Sequence, residues 1–271
     1  MERQTVASED RNFAGLLSAA HDLPPHDGPL RPYFLCSTPR TGSTLLSDAL
    51  TRNGDFGVPA EYLHPDAISI LGRRFGAFSP AGDRFDVAAF VRALVRSRTS
   101  RNGRFGIKCH FDQLRVVLGT TAVQGLLGQS QFIRIGRRDR LAQAVSFEIA
   151  RQQDIWHVRS ESADPPPTVV YDQQRLDVAL RSISSLEAQW DLFFEANRID
   201  PLTLWYEEIV ADPASAGERV LAHLGAPSGA RIDLASTGLR RVDSGEKKSW
   251  RARYLDGLRF RGLARSGSRE A

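Results

Sequence analysis

The sequence predicts an α/β fold in which a mainly parallel central sheet is flanked by helices on both faces, a three-layer sandwich. Two observations lead to this prediction. Short apolar runs bounded by proline or glycine alternate along the chain with longer segments whose apolar residues recur at helical spacing. The first apolar run also leads through a segment rich in Ser, Thr and Gly into a helix, which is the strand–loop–helix order of P-loop-like folds.

The composition is that of an ordinary globular chain. The sequence has 271 residues, of which 41% are hydrophobic and 25% are charged. No apolar run approaches the roughly 20 residues of a membrane span, and the N-terminus lacks the apolar centre of a signal peptide. We therefore expect a protein that does not span a membrane. Two cysteines do not make a disulfide framework, so we also expect a reducing, cytoplasmic setting.

Three parts of the chain are expected. Residues 1–30 are polar and rich in His and Pro, which predicts a flexible arm, with one short helix around 13–20. Residues 31–260 form the main domain, and residues 261–271 form a basic flexible tail. The net charge is +4, but residues 231–271 alone carry 11 Lys and Arg against 5 Asp and Glu. This local excess suggests an anionic ligand near the C-terminal part of the chain.

In the first half of the domain, each element follows from periodicity and from flanking turn residues. The first strand is a short apolar run bounded by proline, and the helix after the loop stops at Asn53-Gly54. The pattern predicts, in order, a strand at 32–37, helices at 43–52, 66–75 and 86–98, and a strand at 105–109.

The second half continues the alternation. Asp164-Pro165-Pro166-Pro167 can only be a loop, and Asp212-Pro213 opens a further helix. The predicted elements are a strand at 131–135, a helix at 139–155, a helix at 172–197, a strand at 201–206 and a helix at 212–225.

The segment between the first strand and its helix has the composition of an anion site. Ligands of α/β sheets bind beyond the carboxyl ends of the strands, and a helix N-terminus offers unpaired N–H groups and a positive dipole. Gly42 allows close approach of the backbone, and Thr41, Ser43 and Thr44 supply hydroxyl groups. Arg40 adds a fixed positive charge.

Three other loop motifs do not fit these residues. A Walker A loop needs G-x-x-x-x-G-K-[S/T], and both the lysine and the first glycine are missing here. Phosphatases with a cysteine nucleophile need five residues between Cys and Arg, whereas Cys36 and Arg40 have three between them. The hydrolase pattern G-x-S-x-G fails because no second glycine follows Ser43 at that spacing.

The loop has a close counterpart in one enzyme class. Residues 37–46, Ser-Thr-Pro-Arg-Thr-Gly-Ser-Thr-Leu-Leu, resemble the 5′-phosphosulfate loop of sulfotransferases that use 3′-phosphoadenosine 5′-phosphosulfate. More narrowly, they resemble the bacterial Stf0 group, whose reference member sulfates trehalose. Further stretches match that group in the same order, and the resemblance covers about residues 32–258: Pro59-Ala60-Glu61, Gly106-Ile107-Lys108, Gln143-Ala144-Val145-Ser146-Phe147 and, more weakly, Ser249-Trp250-Arg251-Ala252-Arg253-Tyr254.

The resemblance implies a set of residues that bind the donor. The 5′ end would be held by the loop and the first helical turn, Arg40, Thr41, Gly42, Ser43, Thr44 and Leu45. The 3′-phosphate would be held by an arginine at the end of the third strand and by Ser146 on the next helix. Position alone does not separate Arg137 from Arg138, so both are carried forward. Trp250 would stack on the nucleotide.

The resemblance also implies catalytic roles. Glu61 would take the proton of the acceptor hydroxyl, with His110 as the alternative base because other sulfotransferases use histidine. Lys108 would stabilise the bridging oxygen, and Arg40 would steady the departing 3′,5′-bisphosphate. No metal is expected, because the six histidines show no paired ligand spacing.

The acceptor and partners are less well determined. The resemblance suggests a carbohydrate or glycolipid hydroxyl as the acceptor, and relatives that dimerise suggest a homodimer. Two alternatives remain open. One is a P-loop-like kinase acting on a small molecule, which the missing Gly and Lys disfavour. The other is a non-catalytic binder of nucleic acid or another polyanion, which only the basic C-terminal segment supports, so no nucleic-acid partner is expected.

Overall fold

A four-stranded parallel sheet forms the centre of the protein. The computed structural model describes residues 15–156, 167–226, 229–235 and 245–259. The strands are β1 (Arg31–Ser37), β2 (Arg104–His110), β3 (Gln131–Gly136) and β4 (Leu202–Trp205). The helices are α1 (Ser43–Asn53), α2 (Pro65–Arg74), α3 (Val87–Arg98), α4 (Phe111–Val117), α5 (Thr121–Leu127), α6 (Arg140–Gln153), α7 (Gln173–Ala196), α8 (Tyr206–Ala211), α9 (Pro213–His223) and α10 (Gly245–Leu258).

The order of the strands places the ends of β1 and β3 at the functional edge of the sheet. The order is β2-β1-β3-β4, and every neighbouring pair is parallel. The connection after β1 leads to β2 at one edge of the sheet, and the connection after β3 leads to β4 at the opposite edge. The two connections therefore run in opposite directions. This divergence is the topological switch point at which doubly wound sheets bind ligands.

Both faces of the sheet are covered, as predicted. Tyr33 and Leu35 of β1 pack on one side with the buried residues of α1, α8 and α9. Phe34 and Cys36 pack on the other side with α3, α4, α5 and the aromatic residues of α7. This alternation is the period of two that a strand imposes on its side chains. The three-layer, P-loop-like α/β fold is confirmed.

Several elements differ from the sequence-based expectation. The interval between β2 and β3, for which no helix was predicted, contains α4 and α5, each of seven residues. Two turns are too short to show a helical repeat of apolar residues. The predicted strand at 201–206 ends at Trp205, because Tyr206 begins α8. The predicted loop at 164–167 falls on residues of which only 167 is described.

None of the helices in the described ranges combines the length and the apolar character needed to cross a bilayer. The two cysteines, Cys36 and Cys109, are free and buried, and they face each other in the register of β1 and β2. Burial raises the pKa of both thiols.

Residues 15–30, part of the predicted arm, contact the body of the domain. Leu17 is buried in the cluster on the α7 side of the sheet, and the N–H of Leu23 donates to the carbonyl of Ser97 at 2.8 Å. Asp22 forms ion pairs with Arg74 and, at 3.2 Å, with the fully buried Arg98. The division into an arm, a domain and a tail stays a prediction, and residues 261–271 lie outside the described ranges.

We expect Asp22→Asn to lower the free energy of unfolding by roughly 3 kcal/mol, because it leaves the buried Arg98 guanidinium without its carboxylate. The Arg98 side chain is fully buried, and this burial lowers the pKa of its guanidinium. The measurement is urea denaturation, with Asp27→Asn as the matched control on the same segment. Equal, small losses in the two variants would show that Arg98 does not depend on Asp22.

Candidate active site

The loop between β1 and α1 presents a helix N-terminus that no side chain caps. α1 begins at Ser43, and the residue at its N-cap position is Gly42, with a φ of 82°. Glycine has no side chain that could cap the helix. A Cβ at Gly42 would lie 2.8 Å from Cδ2 of Tyr206, so both the backbone angle and the space require glycine. Arg40 also has a left-handed φ, of 67°. No side chain of the described ranges therefore occupies the N–H groups at the start of α1, although the N–H of Leu45 already donates to the carbonyl of Gly42 at 2.9 Å.

Side chains from the loop itself and from two helices fix the conformation of the loop. Thr41 Oγ1 donates to the carbonyl of Thr38 at 3.0 Å, which closes the loop on itself. Trp190 Nε1 on α7 donates to the carbonyl of Ser37 at 3.0 Å, and Gln143 Nε2 on α6 donates to Thr38 Oγ1 at 2.9 Å. All five residues are buried, so these bonds are shielded from water.

Arg40 lies where the loop meets α6. Its Nε donates to Ser146 Oγ at 3.2 Å, and its terminal nitrogen donates to the carbonyl of Trp156. Arg137, which follows β3, donates to the backbone carbonyl of Arg40 at 3.4 Å. Burial, and secondly the positive charge of Arg137, lower the pKa of the Arg40 guanidinium. Its ion-pair and hydrogen-bond partners within the described ranges include no carboxylate.

The two candidate arginines after β3 have different surroundings. Arg137 stacks over the ring of Tyr206 at 4.6 Å, beside the loop. Arg138 is more than half exposed, forms an ion pair with Glu208 and stacks over Trp205 at 5.1 Å. The structure therefore brings Arg137 to the loop and ties Arg138 to the start of α8.

Glu61 belongs to a buried polar network at the end of β2. An isolated parallel bridge pairs Ala60 with Ile107, which places Glu61 beside Lys108. Lys108 Nζ lies 2.9 Å from Glu61 Oε1 and donates to Thr44 Oγ1 in the first turn of α1, also at 2.9 Å. One lysine thus connects the carboxylate with the first turn of α1. This turn directly follows the loop of residues 38–42 between β1 and α1, which we call the anion loop.

The ionisation of Glu61 is set by opposing effects. Burial alone would raise the pKa of its carboxyl group, but the charges of Lys108 and His110 lower it. Hydrogen bonds from Lys108 and from Gln113 Nε2, the latter at 3.0 Å, lower it further. Together they hold the pKa of Glu61 well below its usual range, so Glu61 is a carboxylate in the protein alone.

His110 faces the same carboxylate. Its Nδ1 lies 3.0 Å from the carbonyl oxygen of Ser37 and 3.3 Å from the hydroxyl oxygen of the same residue. The other ring nitrogen, Nε2, lies 3.9 Å from Glu61 Oε2, so this end of the ring faces the carboxylate.

Most of the predicted donor residues are brought together, but Arg138 and Trp250 are not. The residues of the loop and the first turn are contiguous in space, and Ser146 joins them through Arg40. Trp250, for which we predicted stacking on the nucleotide, is only 5% exposed. It packs with Val145, Ile149 and Tyr254, edge-on to Tyr171. In the described structure Trp250 packs α10 against α6 and α7, and its stacking on the nucleotide stays a prediction.

Three residues of this site were missed in the sequence. Tyr206 lies between Gly42 and Arg137, Trp190 contacts the loop, and Gln113 binds Glu61. Only Gln113 left a usable signal, since it is the third residue of α4 after His110, where capping-box residues occur. Within the described ranges, no group of three His, Cys, Asp or Glu side chains is arranged to hold a metal ion.

Comparison with known proteins agrees with this geometry. A family model described as Stf0 sulphotransferase matches residues 32–256. The trehalose 2-sulfotransferase of Mycobacterium tuberculosis (strain Erdman) is 26% identical over 214 residues, which cover 65% of this chain and 78% of that protein.

Two solved structures were also found. A sulfotransferase from Alicyclobacillus acidocaldarius is 14% identical with a TM-score of 0.47 and covers 84% of this chain and 93% of its own. The sulfotransferase domain of the Synechococcus PCC 7002 olefin synthase is 19% identical with a TM-score of 0.43, covering 82% and 80%. The family match extends over most of the chain and includes every element around the anion loop, so this chain belongs to the Stf0 sulphotransferase family.

Proposed function

We propose that this sulfotransferase transfers the sulfuryl group of 3′-phosphoadenosine 5′-phosphosulfate to a hydroxyl of a carbohydrate or glycolipid. The observation that carries the proposal is the half-buried Arg40 guanidinium close to Arg137, at an N-terminus of α1 that no side chain caps. Bringing like charges together under burial costs free energy, and a bound anion would relieve that cost.

The donor would lie along the edge formed by the loop and the start of α6. It supplies a sulfuryl group attached to a phosphate oxygen. The N–H groups of the first turn of α1, together with Thr41, Ser43 and Thr44, would bind the 5′ end. Ser146 and the arginines after β3 would bind the 3′-phosphate, with Arg137 and Arg138 both retained. Arg40 already reaches Ser146, so it would bridge the two ends.

The oxygen of the acceptor hydroxyl would attack the sulfur atom while Glu61 takes the proton of that hydroxyl. The bond between the sulfur and the bridging phosphate oxygen would break in the same step. While Lys108 is paired with Glu61, the carboxylate is a weak base. Lys108 also touches Thr44, so it can turn from Glu61 to the bridging oxygen when the donor is present. This movement of the Lys108 side chain would neutralise the negative charge that develops on the leaving phosphate. It would also remove the positive partner of Glu61 and so make the carboxylate more basic.

The acceptor class rests on the name of one relative. The mycobacterial protein is a trehalose 2-sulfotransferase, which supports a sugar hydroxyl as the acceptor of this chain. The proposal names the class of acceptor and no particular sugar. The homodimer and the reducing, cytoplasmic setting inferred from the sequence stay predictions.

Calorimetric titration with adenosine 3′,5′-bisphosphate tests the donor site. We expect the wild-type protein to bind this product and Arg40→Ala to raise Kd about 30-fold or more, because a charge-assisted contact in a desolvated site is lost. Arg96→Ala, an exposed arginine on α3, is the control for the change of net charge. If the wild-type protein does not bind, the proposed donor is wrong. If Arg40→Ala binds as tightly as wild type, a general polyanion binder is favoured.

Glu61→Gln tests the base. The amide keeps the size of the side chain but cannot take a proton, so we expect unchanged affinity for the bisphosphate and a turnover lower by about 100-fold or more. Turnover is measured with a sugar acceptor that the wild-type enzyme sulfates. His110→Asn is the companion variant: full activity in Glu61→Gln with a loss in His110→Asn would move the role to His110.

The pH dependence of kcat/KM separates the same two bases, because this ratio reports ionisation in the free enzyme. The pKa of Glu61 is held below its usual range, so the carboxylate stays ionised as the pH falls from 8 to about 5. We expect no loss of kcat/KM over this interval. A steady loss through the range in which imidazoles titrate, about pH 6 to 7, would indicate a histidine base instead.

A further inference from the structure

A buried carboxylate on α7, Glu187, contacts the anion loop through Thr38. Its side chain is only about 4% exposed. Glu187 Oε1 accepts a hydrogen bond from Thr38 Oγ1 at 2.9 Å. Thr38 Oγ1 also accepts a hydrogen bond from Gln143 Nε2 at 2.9 Å. The single proton of the Thr38 hydroxyl is therefore the one that it donates to Glu187. The bond from the loop to Glu187 is therefore directional and charge-assisted.

The other oxygen of Glu187 contacts the β3–α6 side of the site. Oε2 accepts from Arg134 on β3 at 2.8 Å and lies 3.6 Å from Arg140, the first residue of α6. Arg140 comes directly after the segment that contains Arg137 and Arg138. One carboxylate therefore contacts both connections that meet at the switch point of the sheet.

We infer that Glu187 is a positioning residue that sets the distance between the 5′ and 3′ anion-binding halves of the donor site. The inference rests on the proposed function, because it concerns a donor with phosphate groups at both ends. Such a ligand binds well only when both halves are held at the right separation. Glu187 touches neither the donor nor the acceptor in this account, and it acts through Thr38 and Arg140.

Asp191, one turn further along α7, provides a matched comparison. Its carboxylate also forms an ion pair with Arg134, but it is more than half exposed and has no contact with Thr38 or Arg140 among the described residues. Replacing Asp191 removes one negative charge from Arg134, as replacing Glu187 does. Only the Glu187 variant also weakens the charge-assisted contacts with Thr38 and Arg140.

The experiment compares two nucleotides in calorimetric titrations of the full chain. Adenosine 3′,5′-bisphosphate uses both halves of the site, and adenosine 5′-monophosphate uses one. For Glu187→Gln we expect the bisphosphate affinity to fall about tenfold and the monophosphate affinity by no more than about threefold. The ratio of the two affinities should therefore fall, whereas Asp191→Asn should leave it at the wild-type value.

Thr38 provides a second pair of variants that leaves the ion pairs of Glu187 intact. Thr38→Val removes the hydroxyl while keeping the shape of the side chain, and Thr38→Ser keeps the hydroxyl. We expect the ratio to fall in Thr38→Val and to stay near wild type in Thr38→Ser. Thermal denaturation precedes each titration, and if Glu187→Gln does not fold, the Thr38 pair decides the question.

The possible failures are distinct. If the wild-type protein does not bind the bisphosphate, both the proposed function and this inference are overturned. If the wild-type protein binds it and the ratio is the same in wild type, Glu187→Gln and Thr38→Val, only the positioning role is overturned. A fall in ratio as large in Asp191→Asn as in Glu187→Gln would also overturn it, since the effect would then be one of charge on Arg134.

Discussion

The parallel hydrogen bonding of β1 to both β2 and β3 is the constraint on which the whole site depends. Because β1 pairs on both sides, the residue at its end, Ser37, lies opposite His110 on one neighbour and Ile135 on the other. The connections after the three strands must then meet at one edge of the sheet. The anion loop, Lys108 and His110 at the end of β2 and the arginines after β3 are neighbours for this reason, although they lie far apart along the chain.

The site gathers positive charge and shields it from water. Arg40 and Arg137 lie side by side, and Lys108 reaches the first turn of α1, whose dipole is also positive at that end. The free protein tolerates Arg40 through hydrogen bonds to a hydroxyl and a carbonyl, which are weaker partners than an anion. Stability is thereby given up at the place where a charged ligand can restore it, as is common at functional sites.

Two carboxylates, the partly buried Glu61 and the buried Glu187, balance this charge in different ways. Glu61 faces the site, and its partner Lys108 is shared with the loop, so a ligand can change its basicity. Glu187 faces away from the site and is held by Arg134, Arg140 and Thr38, so it can act only through geometry. In our proposals the same residue type would serve chemistry in one position and architecture in the other, because only Glu61 has a partner that a ligand can attract away.

The sequence by itself determined the features that local chemistry controls. The alternation of strands and helices, the composition of the loop from Ser37 to Leu46 and the resemblance to one family were all readable from neighbouring residues. Helices of two turns were not, because they are too short to show a repeat. Only the tertiary structure separated the surroundings of Arg137 from those of Arg138 and buried Trp250. It also joined Thr38 to Glu187 across 149 residues, since such contacts depend on packing that no local pattern encodes.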